Sequence, residues 1–367
     1  MPERGIALRR MGFLTIGRFD QADPGPGHDE TLRMIERAEV LGFDSVWVRQ
    51  RHLQPGISSP VALLAAASQR TRRVELGTAV IPLGLENPLR LAEDLATVDI
   101  LSRGRLNPGV SVGTPLLYEH FKAALYPETH EMENFSKARV TRLLACMRGE
   151  PVSDFEGTMG HDKFFRRVQP HSPGLAGRVW YGGGMQSAVW AGLNGLNYLT
   201  ANLVSSEGTQ SLDFATIQAE HIDAFRAHHP RPETARASQS LVVIPIDSAS
   251  AAQIDRYRAY VQSRIGRTGQ PQGPRGMIAS PDYVGTSEEL AEVLHSHRGF
   301  QRVDEVAFAL PHGFEEDDHV QIVTDIAEKL GPKLGWVAAQ SHHGPSPCLQ
   351  HNYIHGAVDQ ERTVGEK

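Results

Sequence analysis

Cysteine is nearly absent from this chain of 367 residues, which has only Cys146 and Cys348. Two isolated thiols make no disulfide framework, so a reducing cytoplasm is the expected compartment. Long apolar runs are missing too. No stretch approaches the roughly 20 apolar residues that a membrane span needs. The opening MPERGIALRRMGFLTIG is basic but lacks a long apolar core, so no signal peptide is expected. Runs of Lys and Arg are absent, and the formal net charge is −6. That balance argues against a nucleic-acid surface. No glycine-rich phosphate loop follows the first strand candidate, and no nicotinamide-binding fingerprint appears. Histidine is plentiful, with 17 residues. Yet no pair of them sits at strand ends with a carboxylate at ligand spacing, which counts against metal catalysis. His221, His228 and His229 are expected on one helical face.

What is present is a repeated unit. Met11–Gly17 is fit for a first buried strand. Asp29 is placed to cap a helix from Glu30, where Leu32, Ile35, Ala38 and Leu41 recur every three residues. Gly42 suits the left-handed position that ends a helix. Asp44–Val48, Val74–Ile81 and Leu106–Val112 read as the next three strands. Ser59-Pro60 and Asn87-Pro88 supply an N-cap and a first-turn proline to the helices between them. A helix near Asn134–Arg148 follows. Arg178–Tyr181, Asn197–Ala201, Leu241–Ile246 and Val303–Leu310 complete a set of eight strands, and a helix near His319–Leu330 closes it. Eight parallel strands separated by helices predict an α/β fold, a TIM (β/α)8 barrel. An open doubly wound sheet is the alternative. Residues 1–339 read as one barrel domain, with Thr114–Gly177 and Ser248–Thr286 as insertions at its C-terminal face. Residues 340–367 lack periodicity and read as a tail that is mobile or packs on a partner subunit.

In such barrels the chemistry sits where strands end. That rule picks out Arg49, Gln50, Arg51 and His52 after the second strand, and Thr78, Ala79 and Val80 at the third. It adds Ser111 at the fourth strand, and Gly182, Gly183, Gly184, Met185 and Ser187 after the fifth. Thr200 and Asn202 follow the sixth, and His312 the eighth. The triple glycine opens a helix, so its free N–H groups suit a phosphate, although a flexible turn has the same composition. His52 is suited to moving a proton near neutral pH, and equally to bonding loop backbone. Asp94, Asp99 and Arg105 read as structural ion pairing, and Cys146 as core.

The order of AEVLGFDSVWV, TRRVELGTAVIPL, ENPLRLAEDLATVDILSRGRL and VGTSEELAEVL resembles the bacterial-luciferase-like flavin monooxygenases and their deazaflavin (F420)-using relatives. The resemblance covers most of Met11–Trp336 and is densest over Glu39–Gly113. It implies the barrel, a homodimer, and a non-proline cis peptide at Ala79-Val80 that backs a flavin ring. It places Gly183, Gly184, Met185 and Ser187 at the flavin phosphate and Ser111 near the ring's reactive edge. His52 matches the second histidine of luciferase's Glu-His-His segment. Gln50 and Arg51 replace the other two residues, so Arg51 is suited to an anion or oxyanion clamp rather than to base catalysis. Val112 replaces an arginine that luciferase offers the phosphate, and Arg178 is a candidate to compensate.

The implied reaction is oxygenation of a small organic substrate by reduced FMN and O2 through a C4a-(hydro)peroxyflavin. A separate flavin reductase would supply the FMN. His52, Arg51 and Ser111 are the catalytic candidates. F420-dependent hydride transfer is the alternative, with Arg49, Arg51 and Arg178 facing the cofactor's acidic tail. A non-catalytic flavin-binding protein is a further one.

Overall fold

The computed structural model describes residues 7–273 and 276–339. Cys348 and the tail lie outside them. Eight strands pair in parallel, each with the next: Arg10–Thr15, Ser45–Val48, Glu75–Pro82, Leu106–Ser111, Trp180–Gly182, Asn197–Thr200, Ala237–Gln239 and Glu305–Ala309. The eighth then pairs with the first, Met11 opposite Val306, so the ring closes. The outer helices are Gly25–Val40, Pro60–Arg70, Pro88–Leu101, Ala138–Arg148, Met185–Leu193, Phe214–His228, Ser287–Ser296 and Glu316–Asp325. The chain is a (β/α)8 barrel.

Local chemistry explains the helix starts. Ser59 Oγ accepts from Ala62 N–H, and Asn87 Oδ1 accepts from Leu89 and Arg90 N–H. Thr286 and Glu289 form a reciprocal capping box. Gly42 takes φ 84°, the left-handed position that ends the first helix. That helix starts at Gly25 rather than at Glu30, because Pro26 fits the first turn of a helix and needs no N–H partner there. The fourth outer helix starts at Ala138, four residues later than expected. Ahead of it, Asn134 Oδ1 turns back to Ser136 N–H instead of entering the helix.

Three strand readings are corrected. The third strand breaks between Thr78 and Ile81, where the Ala79-Val80 peptide is cis. The fourth breaks at Pro108, which has no N–H for a ladder. The seventh barrel strand is Ala237–Gln239. The more apolar run beyond it supplies Val243–Pro245, which leaves the barrel to pair with Tyr283–Gly285. Burial on all sides made that run look like the barrel strand.

The barrel lumen is filled by Trp47 and Trp180, edge to face at 5.2 Å, with Leu14, Ala79, Leu199 and Ala307 around them. Two glycines make room for this plug. A Cβ on Gly77 would lie 2.2 Å from the Trp47 ring, and one on Gly109 2.0 Å from the Thr78 carbonyl oxygen.

At the N-terminal face, Glu39 clamps the first helix to the third strand. Its carboxylate accepts from the backbone N–H groups of Arg72, Arg73 and Val74 at 2.8–3.0 Å. Burial pushes this carboxyl up, but the three bonds outweigh it and hold it below the usual carboxylate range. Glu39→Ala should destabilise the protein by about 2 kcal/mol, because three donors lose their acceptor at once. The urea midpoint should fall with an unchanged slope. An unmoved midpoint would show that water replaces the carboxylate at no cost.

Asp99 is an anchor of the same face, though not with Arg105. Its buried carboxylate takes a two-pronged contact from Arg178, with both nitrogens at 2.8 Å, and a hydroxyl from Ser172 at 2.5 Å. Arg105 instead donates to the carbonyls of Ser68, Thr71, Val74 and Ser102. Asp94 lies beside Arg90 on the helix surface. Cys146 is buried in the core, as its apolar neighbours suggested. His221 is fully buried, whereas His228 is exposed and bonds Ala224 O. His229 lies past the end of the helix. The three do not form one face.

Candidate active site

A cleft of about 680 Å³ opens over the C-terminal ends of the strands. Its floor is the upper layer of the lumen, Leu14, Trp47, Leu199 and Ala307. Arg49, Gln50, Arg51, His52, Ala79, Val80, Ser111, Gly183, Gly184, Met185 and Ser187 all line it, whereas Thr78 does not. Asn202 and Thr200 line it as well. His312 does not. It turns to a neighbouring cavity of about 60 Å³, shared with Arg18 and His319.

On one wall the second strand delivers Arg49–His52. The His52 ring rests 4.9 Å from Phe121, which comes from the 114–177 insertion. Gln50 donates to Glu86 at 3.1 Å, and burial pushes the Glu86 carboxyl up. Thr114, Pro115 and Leu116 continue this wall, so one end of the insertion does reach the cleft mouth. The hairpin further along it, Gly157–Met159 with Asp162–Phe164, is mostly exposed. At the cis Ala79-Val80 peptide the third strand is interrupted, and Ala79 and Val80, two small side chains, line the cavity.

The glycine turn follows the fifth strand, beside the ends of the third and fourth. Gly183 takes φ 153°, and a Cβ there would meet Ser187 Oγ at 2.4 Å. A Cβ on Gly182 would meet Val80 at 3.0 Å. The Gly183 carbonyl is fixed by Tyr198 Oη at 2.6 Å, and Ser187 bonds Tyr181, whose hydroxyl burial pushes up to about 12. Gly184 is the N-cap of the helix Met185–Leu193, so the Met185 and Gln186 N–H groups lack intrahelical partners, whereas Ser187 N–H bonds Gly184 O.

The cation expected to assist is elsewhere. Arg178 is held at the N-terminal face by Asp99 and by the carbonyls of Gly104 and Leu106, so it cannot serve the cradle. Lys137 lies at that first turn instead. Its Nζ is 3.4 Å from Gln186 O and 5.5 Å from the centre of the Trp190 ring, and burial lowers its pKa. Nothing in the sequence marks this lysine, because it meets the turn only through the 114–177 insertion. Small strand ends, a backbone opening and a helix N-terminus within one cleft fit a flat ring that carries a phosphate.

A closed α/β barrel with such a cradle defines a class of cofactor-using enzymes. Residues 10–310 match the model of the luciferase-like monooxygenases, and the chain belongs to that family. It is an enzyme of the luciferase-like oxidoreductase class. It is 32% identical over 133 residues to 4-hydroxyprotoasukamycin monooxygenase of Streptomyces nodosus subsp. asukaensis, 36% of this chain and 35% of that one. It is 38% identical over 140 residues to the F420-dependent glucose-6-phosphate dehydrogenase of Intrasporangium calvum, 36% of this chain and 41% of that one. These matches span less than half of either relative. The fold is also that of the oxygenating constituent of 3,6-diketocamphane monooxygenase from Pseudomonas putida, solved with FMN, with a TM-score of 0.62 at 12% identity. That superposition covers 89% of this chain and 99% of the other. The family thus includes flavin monooxygenases and F420-dependent enzymes. No helix among the described residues is long and apolar enough to cross a membrane.

Proposed function

We propose that this chain is the oxygenase of a two-component flavin monooxygenase, taking reduced FMN from a separate reductase and oxygenating a small organic substrate with O2. The observation that carries the reading is the pairing, across one cleft, of the Gly183–Ser187 cradle with the Ala79-Val80 opening. Gly183, Gly184, Met185 and Ser187 would hold the phosphate, with Lys137 adding charge from behind the first turn. Ala79 and Val80 would back the ring, and Ser111 would meet its edge. Bound reduced FMN supplies the two electrons that activate O2. His52, held against Phe121, keeps or moves a proton above the cleft floor. Arg51 stabilises negative charge. Pro115, Leu116 and Phe121 give the mouth an apolar wall that limits water.

A second reading, F420-dependent hydride transfer, is favoured by Arg49 and Arg51, which suit an acidic cofactor tail. Fluorescence titration with FMN and with F420 separates the two. FMN should bind more tightly, and Gly183→Ala should weaken it about tenfold, roughly 1.4 kcal/mol, because the added Cβ displaces Ser187. Tighter binding of F420, or an unchanged FMN affinity in Gly183→Ala, would contradict the proposal.

A further inference from the structure

We propose that the second-strand wall of the cleft binds the anionic head of the organic substrate, a carboxylate, through Arg49 and Arg51. The inference rests on the FMN reading only in leaving this wall free of cofactor.

Both guanidinium groups line the large cleft. Neither has a carboxylate partner among the described residues, and nor does Arg18 on the adjoining wall. The charges act on one another instead. Arg49 is exposed to the cleft, and partial desolvation by the surrounding protein, with the charge of Arg51, lowers its pKa. Arg51 is lowered in turn by burial and by Arg18. His312 sits behind them with its Nδ1 buried and unbonded. Burial, followed by the charges of Arg51, Arg264, Arg49 and Arg18, pushes it down to about 4.

Four sheltered arginines elsewhere meet carboxylates, whereas Arg105 meets backbone carbonyls. Arg178 meets Asp99, Arg139 meets Glu133, Arg236 meets Glu305, and Arg264 meets Asp282. The nearby acid Glu86 is bonded by Gln50 rather than by an arginine. Clustered like charges cost stability unless a counter-charge is supplied, and in an open cleft a ligand can supply it. Arginine is the side chain suited to that task, because its planar fork matches a carboxylate or phosphate with two bonds. The glycine cradle follows the fifth strand, three along the ring from the second, so two anionic groups are accommodated at separate places in the cleft.

The test is calorimetric titration of the protein, with and without saturating FMN, with acetate, hexanoate, benzoate and 2-naphthoate, each against its primary amide. At least one carboxylate should bind about tenfold more tightly than its amide, in the presence of FMN as well, and the preference should shrink as NaCl is added. Arg49→Gln/Arg51→Gln should erase the preference while FMN affinity stays within about twofold. Arg49→Lys/Arg51→Lys keeps the charge but not the fork, and should retain only part of the preference. It decides the matter alone if the glutamine pair does not fold. The proposal is overturned if no carboxylate is preferred, if the glutamine pair keeps the preference, or if FMN competes with the carboxylate, which would give the arginines to the cofactor. A protein that binds no FMN yet prefers carboxylates would remove the flavin reading and leave the anion site standing.

Discussion

Acidification from pH 7 to pH 4 should unfold this protein cooperatively, with uptake of at least two protons beyond those taken by its carboxylates. The main cause is a pair of buried histidines, to which the sheltered His312 adds. His221 is fully buried, and neither ring nitrogen has a hydrogen-bond partner. His297 uses Nδ1 to accept from Phe300 N–H at 3.1 Å, while its Nε2 is buried without a partner. Desolvation pushes each from an ordinary 6.5 down to about 4. With the folded pKa below the unfolded one, the unfolded chain binds the proton first. The stability is therefore whole above about pH 6.5 and is lost as pH falls toward about 4. One proton contributes about 1.4 kcal/mol per pH unit, so two groups give a slope of about 3, and on the order of 5 kcal/mol over the window. That is a large share of a typical domain's stability. His221→Gln should flatten the slope by about one proton, roughly 1.4 kcal/mol per pH unit, between pH 6 and 5. Urea titrations at a series of pH values read it directly, and an equal slope in the variant would mean that His221 takes up its proton in the folded state.

Asp99→Ala should cost about 3–5 kcal/mol and lower the melting temperature by roughly 10 °C. The carboxylate is almost wholly buried and ties three segments at once. It meets Arg178 ahead of the fifth strand, Ser172 in the preceding loop, and Leu106 N–H at the start of the fourth strand. Its loss leaves a sheltered guanidinium without its counter-charge, and that cost exceeds the value of the lost bonds. The anchor is at the N-terminal face and the cleft at the other, so FMN affinity should change little. Calorimetric melting and a flavin titration on the same preparation separate stability from binding. A drop of less than about 3 °C would show that water and the carbonyls of Gly104 and Leu106 suffice for Arg178.

The barrel was legible because its signals are local. Caps at Ser59 and Asn87 and the glycine at 42 fix helix ends within one turn, and helices between short apolar runs leave parallel pairing as the solution. The strand-end rule then gathered residues from the second to the sixth strands into one cleft. What failed was non-local. The run Leu241–Ile246 is more apolar than the true seventh strand, whose Ser238 and Gln239 are polar yet buried. Gln239 is accommodated because it bonds Gln218 on a neighbouring helix, which no window of sequence shows. Arg178 looked free because Asp99 is 79 residues away. Lys137 was invisible for the same reason, and so was the missing counter-charge around Arg49 and Arg51. Sequence lists charges, and only the fold shows which of them are paired.

The most direct test of the account is a stopped-flow experiment begun without oxygen. The protein is mixed with reduced FMN, then with aerated buffer, and the flavin spectrum is followed. The account predicts that the bound flavin passes through a species neither reduced nor oxidised that outlives its counterpart in free solution, because the cleft holds the ring away from water. Reoxidation at the rate of free FMN, with no such species, would contradict it.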